Sequence, residues 1–311
     1  MSKSNVLFIV IDSLRADHTS VHGYSRPTTP TLEALSDDGH AFTDAFAAAP
    51  WTPPSHASMF TGRYPTHHGY YEGGRSLNIP HRTLAERLRE EGYRTFGAVR
   101  NYHIDSQQEV TAGFAELGDI YRMPQVPRSL SDIKSNYIDL APGFARVAYR
   151  MFGANLKPSD YVSCEYISKR ISRANRPFFG FININAPHAP YAPPEPFRGE
   201  FESFNEDQID MEMLRRISSV DGNGLKQFIA GKVNPKREIW EGVKDWYDGA
   251  IRFADSLVGR LLRKLQSVGV YEDTLVVVTG DHGEHFGEHG RALHQFSLFD
   301  ELLHVPLIMP C

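Results

Sequence analysis

The chain has 311 residues, 41% of them hydrophobic, enough to bury a full core within one large α/β domain. Its formal net charge of -5 opposes general nucleic-acid binding, because that sign repels a phosphate backbone. The two cysteines, Cys164 and Cys311, give neither a disulfide framework nor a cysteine metal site, and no run of about twenty apolar residues marks a membrane span.

Polar residues 1–5 lead directly into the first apolar run, too soon for a secretory signal, so a cytoplasmic protein is the expectation. That run, Val6-Leu7-Phe8-Ile9-Val10-Ile11, ends at Asp12-Ser13 and reads as a buried strand. Residues 31–39 and 77–92 read as helices, the second carrying Leu84 and Leu88 and stopping at Gly92. Residues 93–99, 178–185, 274–279 and 305–310 read as further strands. Strands alternating with helices imply an α/β fold with a mostly parallel central sheet. Residues 122–157 mix prolines, charges and tyrosines without a period and read as an insertion, and residues 200–236 read as a polar, helical surface segment.

The richest stretch is Gly280-Asp281-His282-Gly283-Glu284-His285, which follows the β-branched run 274–279. Carboxylate beside imidazole at a strand end is the oxygen and nitrogen set that holds a divalent transition metal. Asp12 closes the first strand in the same way, and open α/β sheets gather ligands at the carboxyl ends of their strands. Thr52-Pro53 reads as a helix N-cap followed by proline at the first helical position. A hydroxyl there faces the positive end of a helix dipole, which favours an alkoxide and an incoming anion. His188 lies between two prolines at a strand end, where a core histidine has little reason to be, and is a candidate for leaving-group protonation or substrate binding. His285 and His289 read as turned to solvent by the surrounding glycines, and His67-His68 as a surface turn before Gly69.

Six ordered segments together resemble the sulfatase family of the alkaline phosphatase superfamily. They are Asp12-Ser13-Leu14-Arg15-Ala16-Asp17, the run from Thr52 to Pro65, Asn185-Ala186-Pro187-His188-Ala189-Pro190-Tyr191, Tyr247-Asp248-Gly249-Ala250-Ile251 opening a helix to Leu265, Asp281-His282-Gly283, and His304-Val305-Pro306-Leu307-Ile308. The resemblance spans nearly the whole chain and implies a sulfatase-like α/β domain over residues 1–311, with helices on both faces of the sheet. It places insertions at about 121–157 and 195–244 and lacks the usual small C-terminal subdomain, so the chain is either a fragment or works without that piece.

The resemblance implies a metal-dependent hydrolase of phosphate or sulfate esters, with Asp12, Thr52, Asp281 and His282 around the metal. Sulfatases carry cysteine or serine, converted to formylglycine, where this chain has Thr52; threonine is not converted, and related phosphatases, phosphodiesterases and phosphoglycerol transferases use its oxygen directly. His56 stands where sulfatases carry an arginine, Ser13 where they carry a second aspartate, and Asn101 where they carry a lysine. With one hard carboxylate fewer beside an imidazole, manganese or zinc is favoured over calcium or magnesium. His294 lies near the family's ester-binding lysine, and His103 near its lysine–histidine pair. Thr52, His56, His188, His294 and His103 are therefore the catalytic candidates, acting on a small-molecule, glycan or lipid ester. A phosphoglycerol-type transferase and a non-catalytic binding protein on the same scaffold are the alternatives. Oligomeric state is not set by the sequence.

Overall fold

A computed structural model describes residues 3–71, 82–122, 159–174, 177–204 and 232–310, with isolated positions between 210 and 228. The strands are β1 (Asn5–Ile11), β2 (Gly39–Phe42), β3 (Arg94–Val99), β4 (Glu116–Asp119), β5 (Phe178–Ile184), β6 (Thr274–Gly280), β7 (His285–Phe286), β8 (Ala292–Leu293) and β9 (Leu307–Pro310). The helices are α1 (Pro30–Asp37), α2 (Thr52–Thr61), α3 (Pro65–His68), α4 (Leu84–Glu90), α5 (Ser159–Ile171), α6 (Arg237–Ser267) and α7 (Asp300–Leu303).

Seven strands form the main sheet in the order β2-β9-β6-β1-β5-β3-β4. The run from β6 to β4 is parallel, and β9 pairs antiparallel with both β6 and β2. The mostly parallel α/β sheet is therefore present as expected. β5 is buried along its whole length, which is why its sequence is continuously apolar rather than alternating.

Both faces carry helices. Leu7, Ile9 and Ile11 of β1 pack with Val276 and Val278 into a core shared with α1, α5 and α6. Val10, Phe179 and Phe181 point the other way, against Ala57 and Phe60 of α2 and the region of α4. That second layer stops short of β6: Leu275 is exposed, and a groove of about 740 Å³ passes over Val6, Phe8, Val277 and Leu307.

Some boundaries differ from the sequence expectation for physical reasons. Helix α6 starts at Arg237, not at Tyr247, because Ile239, Trp240, Val243 and Trp246 continue its buried stripe for two further turns. The proposed insertion at 195–244 thus overlaps a core helix at its end. Helix α4 begins after Thr83, whose hydroxyl accepts from Glu86 N while the Glu86 carboxylate accepts from Thr83 N. The part of the 77–92 helix before residue 82 lies outside the described residues, as do the insertion at 123–157 and most of the segment 200–236. Cys164 is buried and free, and Cys311 also lies outside the described residues.

Register decides what meets at the sheet edge. Ile11 of β1 pairs with Gly280 of β6 and with Ile184 of β5, so Asp12, Asp281 and Asn185 leave the sheet side by side. β3 adds its own carboxyl end next to β5, delivering the 100–103 loop to the same edge. Among the described residues no helix is long and apolar enough to cross a membrane.

Candidate metal centre and nucleophile

Asp12, Asp281 and His282 are fully buried, and one ligand atom from each lies within 4.8 Å of the others. His282 Nε2 stands 3.6 Å from Asp12 Oδ1, 3.5 Å from Asp281 Oδ2 and 3.3 Å from Thr52 Oγ1. The structure thus brings together all four predicted metal-site residues. Its Nδ1 is 2.8 Å from the Gly283 carbonyl, an acceptor, so Nδ1 carries the proton and Nε2 presents a bare lone pair to the cluster. That is the tautomer a metal-ligating imidazole adopts.

The loops are fixed from outside. Ser13 N and His282 N both donate to Asp281 Oδ1, at 3.0 and 2.9 Å. Ser55 Oγ donates to the Asp281 carbonyl at 2.7 Å, docking α2 on the same loop. Ser13 sits at φ 60, a left-handed conformation costly for a residue with a Cβ, and the Tyr247 hydroxyl holds it by donating to its carbonyl at 2.6 Å. Gly283 is required by close approach: a Cβ there would meet the Glu301 carbonyl oxygen at 2.0 Å.

Each carboxylate keeps one buried oxygen, Oδ2, without a hydrogen-bond partner. A buried carboxylate oxygen without a partner is costly unless a cation or a proton meets it. Their protonation follows the same logic. Burial, then the charges of Asp281 and Glu284, hold the Asp12 carboxyl well above its ordinary range. Burial also pushes Asp281 up, but the His282 and His56 rings and the Ser13 amide outweigh it, so Asp281 lies below its ordinary value and stays ionised. Burial lowers His282 to about 4, keeping it neutral. Orphaned oxygens, a bare imidazole nitrogen and a hydroxyl make a donor set that fits a divalent ion.

Thr52 is the first residue of α2, not its cap. Trp51 occupies the cap position in extended conformation, and the Thr52 hydroxyl makes no capping bond. It points at His282 instead, since a proline-led helix start has fewer amides that need a cap. His56, one turn on, is fully buried; its Nδ1 donates to the Thr52 carbonyl at 3.0 Å and lies 3.6 Å from Asp281 Oδ2. Its Nε2 has no partner, and burial among Phe60 and Phe181 lowers its basicity.

Of the other candidates, His294 joins the site: its ring lies 4.4 Å from that of His282 and 5.1 Å from that of His188. Its Nδ1 meets Glu284 Oε1 at 3.1 Å, and burial lowers it to about 3. His188 is half-buried and its Nδ1 donates to the Ala189 carbonyl at 2.7 Å. His103 stands farther out, its ring 5.9 Å from Trp51.

The solvent assignment for His285 is corrected. It is buried, with Nε2 2.8 Å from Ser297 Oγ, while His289 is the exposed one, stacked on Phe299. His68 is likewise buried against Ser58 Oγ at 3.0 Å, and only His67 fits the surface turn. Three contributors escaped the sequence reading. Glu284 is fully buried behind His294, Tyr191 buries its hydroxyl near Glu284, and Asp160 accepts from Asn185 N at 2.9 Å to hold the His188 loop. Glu284 alone carried a signal, as a further acid in the glycine-rich metal loop.

The profile of the family described as Sulfatase matches residues 4–310. The chain belongs to the sulfatase family. This sulfatase-family chain is 24% identical over 318 residues to an arylsulfatase of Clostridium perfringens, covering 92% of itself and 64% of that protein. It is 26% identical over 324 residues to the ulvan-active sulfatase of Formosa agariphila, covering 99% of itself and 56% of that protein. Its fold superposes on the phosphonate monoester hydrolase of Agrobacterium radiobacter with a TM-score of 0.70 at 22% identity, over 99% of this chain and 68% of that one. The chain therefore spans well under two thirds of the length of some curated relatives. The likeness shows a shared α/β fold.

Proposed function

We propose that the protein is a metal-dependent hydrolase of phosphate or sulfate esters that uses the unmodified Thr52 oxygen as nucleophile. The observation that carries this reading is the convergence of Thr52 Oγ1 and His282 Nε2, 3.3 Å apart, on two carboxylates that each keep one buried oxygen without a partner. Asp12, Asp281 and His282 would hold the ion beside Thr52, with manganese or zinc favoured by the mixed donor set. A bound divalent ion lowers the pKa of a neighbouring hydroxyl and polarises an ester oxygen.

The chain's own residues do the rest. Thr52, its hydroxyl proton released to solvent, attacks the phosphorus or sulfur centre, forming an ester on Oγ1 as the bond to the leaving oxygen breaks. His56 anchors the first turn of α2 through the Thr52 carbonyl, so the nucleophile keeps its direction. The His294 ring lies beside that of His282 and its lowered basicity keeps it neutral, so His188, whose ring lies 5.1 Å from that of His294, is the residue that supplies the proton the leaving oxygen takes. Water then releases the acid from Thr52; an alcohol in its place makes the site a transferase.

Threonine favours the phosphorus centre, whereas two of the named relatives are sulfatases. Turnover of nitrophenyl phosphate, bis-nitrophenyl phosphate and nitrophenyl sulfate, with manganese, with zinc and with chelator, tests the reading. Metal-dependent release from a phosphate ester is expected; no turnover of any of the three in metal-loaded protein would favour a binding protein on this scaffold.

A further inference from the structure

Helices α5 and α6 enclose a shallow pocket of about 350 Å³ that the chemistry above does not use. Four cations, Lys169, Arg260, Arg263 and Lys264, line it together with three serines, and no carboxylate is among them. Both helices meet the catalytic edge elsewhere along their length. Asp160 of α5 accepts from Asn185 N at 2.9 Å, and the Tyr247 hydroxyl of α6 donates to the Ser13 carbonyl at 2.6 Å. At 1.5 Å per residue, Arg260 lies about 20 Å further along the α6 axis than Tyr247. The pocket is thus remote from the metal cluster.

Helical period gathers the cations. Arg260, Arg263, Lys264 and Ser267 stand at i, i+3, i+4 and i+7, one stripe of α6. Like charges at these spacings repel and weaken a helix. Lys169 and Lys264 lie in the last turns of α5 and α6, where the negative end of the dipole favours a cation. Arg260 and Arg263 lie further up α6, beyond the reach of that effect. Acids do not neutralise the group either. Among the described residues its one ion pair is a long contact, 3.9 Å, from Arg260 to Glu165. The whole chain carries a net charge of -5, so this positive concentration runs against its composition. A bound anion would relieve the repulsion that the protein leaves standing.

We propose that this pocket is an anion site, separate from the catalytic centre, that takes a compact molecule bearing two phosphate groups. A phosphate carries a charge of about -1.5 to -2 near neutral pH, so two of them balance the four cations. Guanidinium forks bind phosphate oxygens through paired N–H bonds, and ammonium groups add point charges. Ser172 and Ser267 spend their hydroxyls on the carbonyls of Ser168 and Lys264, at 3.0 and 2.8 Å, which leaves the Ser168 hydroxyl to donate to the ligand. No aromatic ring lines the pocket, so the charged heads carry recognition, and its volume suits a small molecule. The proposal is independent of the ester-cleaving reading of Thr52.

The test is titration calorimetry at low salt, on the chain without added metal, with methylenediphosphonate, methylphosphonate and methanedisulfonate. The diphosphonate should bind on the order of tenfold more tightly than the monophosphonate, since its second head adds a charge-assisted contact. It should also bind more tightly than the less charged disulfonate. Arg260→Gln, Arg263→Gln and Lys264→Gln combined should bring the first ratio to about one. Glutamine keeps the helical preference, so this triple variant should be at least as stable as the unaltered chain in anion-free buffer, and its metal-loaded turnover of nitrophenyl phosphate should not change. Methylenediphosphonate should raise the unfolding temperature of the unaltered chain and not that of the variant. Equal affinity for the two phosphonates, tighter binding of the disulfonate, or a diphosphonate preference that the variant keeps overturns the site. Binding to phosphatidylglycerol vesicles with none to the diphosphonate overturns it too, marking a membrane-facing patch instead.

Discussion

Among the described residues, two buried clusters combine carboxylates with imidazole, and they differ in how their polar atoms are finished. In the first, His18 Nδ1 meets Asp248 Oδ1 at 2.7 Å, while Tyr24 and Arg26 donate to Asp248 Oδ2 at 2.7 and 2.8 Å. Arg26 also reaches Asp245 Oδ1 at 2.6 Å, and Ser203 N and Oγ both donate to Asp245 Oδ2 at 2.8 Å. Every carboxylate oxygen there has a partner. In the second, Asp12 and Asp281 each leave an oxygen bare, and His282 aims an unprotonated nitrogen between them. Equal burial with unequal satisfaction separates a network that braces the fold from one that waits for a ligand.

The sharpest way to break that contrast is at the nucleophile. Thr52→Ala should lower turnover on the order of 10⁴-fold or more while leaving the protein folded. Thr52→Ser should keep a good part of the rate, because it returns the same oxygen. Steady-state kinetics on nitrophenyl phosphate decides this, and full activity in a folded Thr52→Ala protein would end the covalent mechanism.

The braced cluster should respond oppositely. Asp248→Ala strips partners from His18, Tyr24 and Arg26 at once and should cost about 3–5 kcal/mol in urea unfolding. Metal affinity of the fraction that remains folded should change little. A variant that kept full stability but lost its metal would reverse the roles assigned to the two clusters.

Acid should act on the unfinished cluster. Burial holds His282 at about 4 and His294 at about 3 in the folded chain, against an unfolded value near 6.5. Between roughly pH 6.5 and 4 the unfolded state therefore binds protons that the folded state refuses, and stability falls as pH falls through that window. Above pH 6.5 the contribution is fully present. The slope should reach about 1.4 kcal/mol per pH unit for each histidine in chelator-treated protein. His282→Ala should remove about half of it, leaving the His294 contribution, and unfolding curves at pH 7, 6 and 5 in both proteins check this.

The smallest effect is expected at Asp12. Its carboxyl is already pushed towards the neutral form, so Asp12→Asn should shift the stability of the metal-free protein by less than about 1 kcal/mol. The same change should weaken metal binding strongly. A large loss of metal-free stability would mean that Asp12 braces the fold as Asp248 does.

Much of this arrangement was legible in the sequence, for identifiable reasons. β1 and β6 are apolar runs that end at an acid, so strand, direction and ligand could be read together. Side-by-side delivery of Asp12 and Asp281 depends on the Ile11–Gly280 register, which no single segment encodes. Thr52 was found by motif but given the wrong local reason, since cap and first-turn positions differ by one residue and by the direction of the hydroxyl. His18, Asp248 and Asp160 were hidden because their partners lie far along the chain, as with the 230 residues between His18 and Asp248. Helix α6 was cut short because Trp240 and Trp246 lie among charges that mask the apolar stripe.

Metal stoichiometry tests the central assignment most directly. Titration calorimetry with manganese, backed by elemental analysis after dialysis, should give one tightly bound ion in the unaltered chain and none in the Asp281→Ala, His282→Ala double variant, with circular dichroism showing both folded. A full equivalent of tightly bound metal in the double variant would contradict the site.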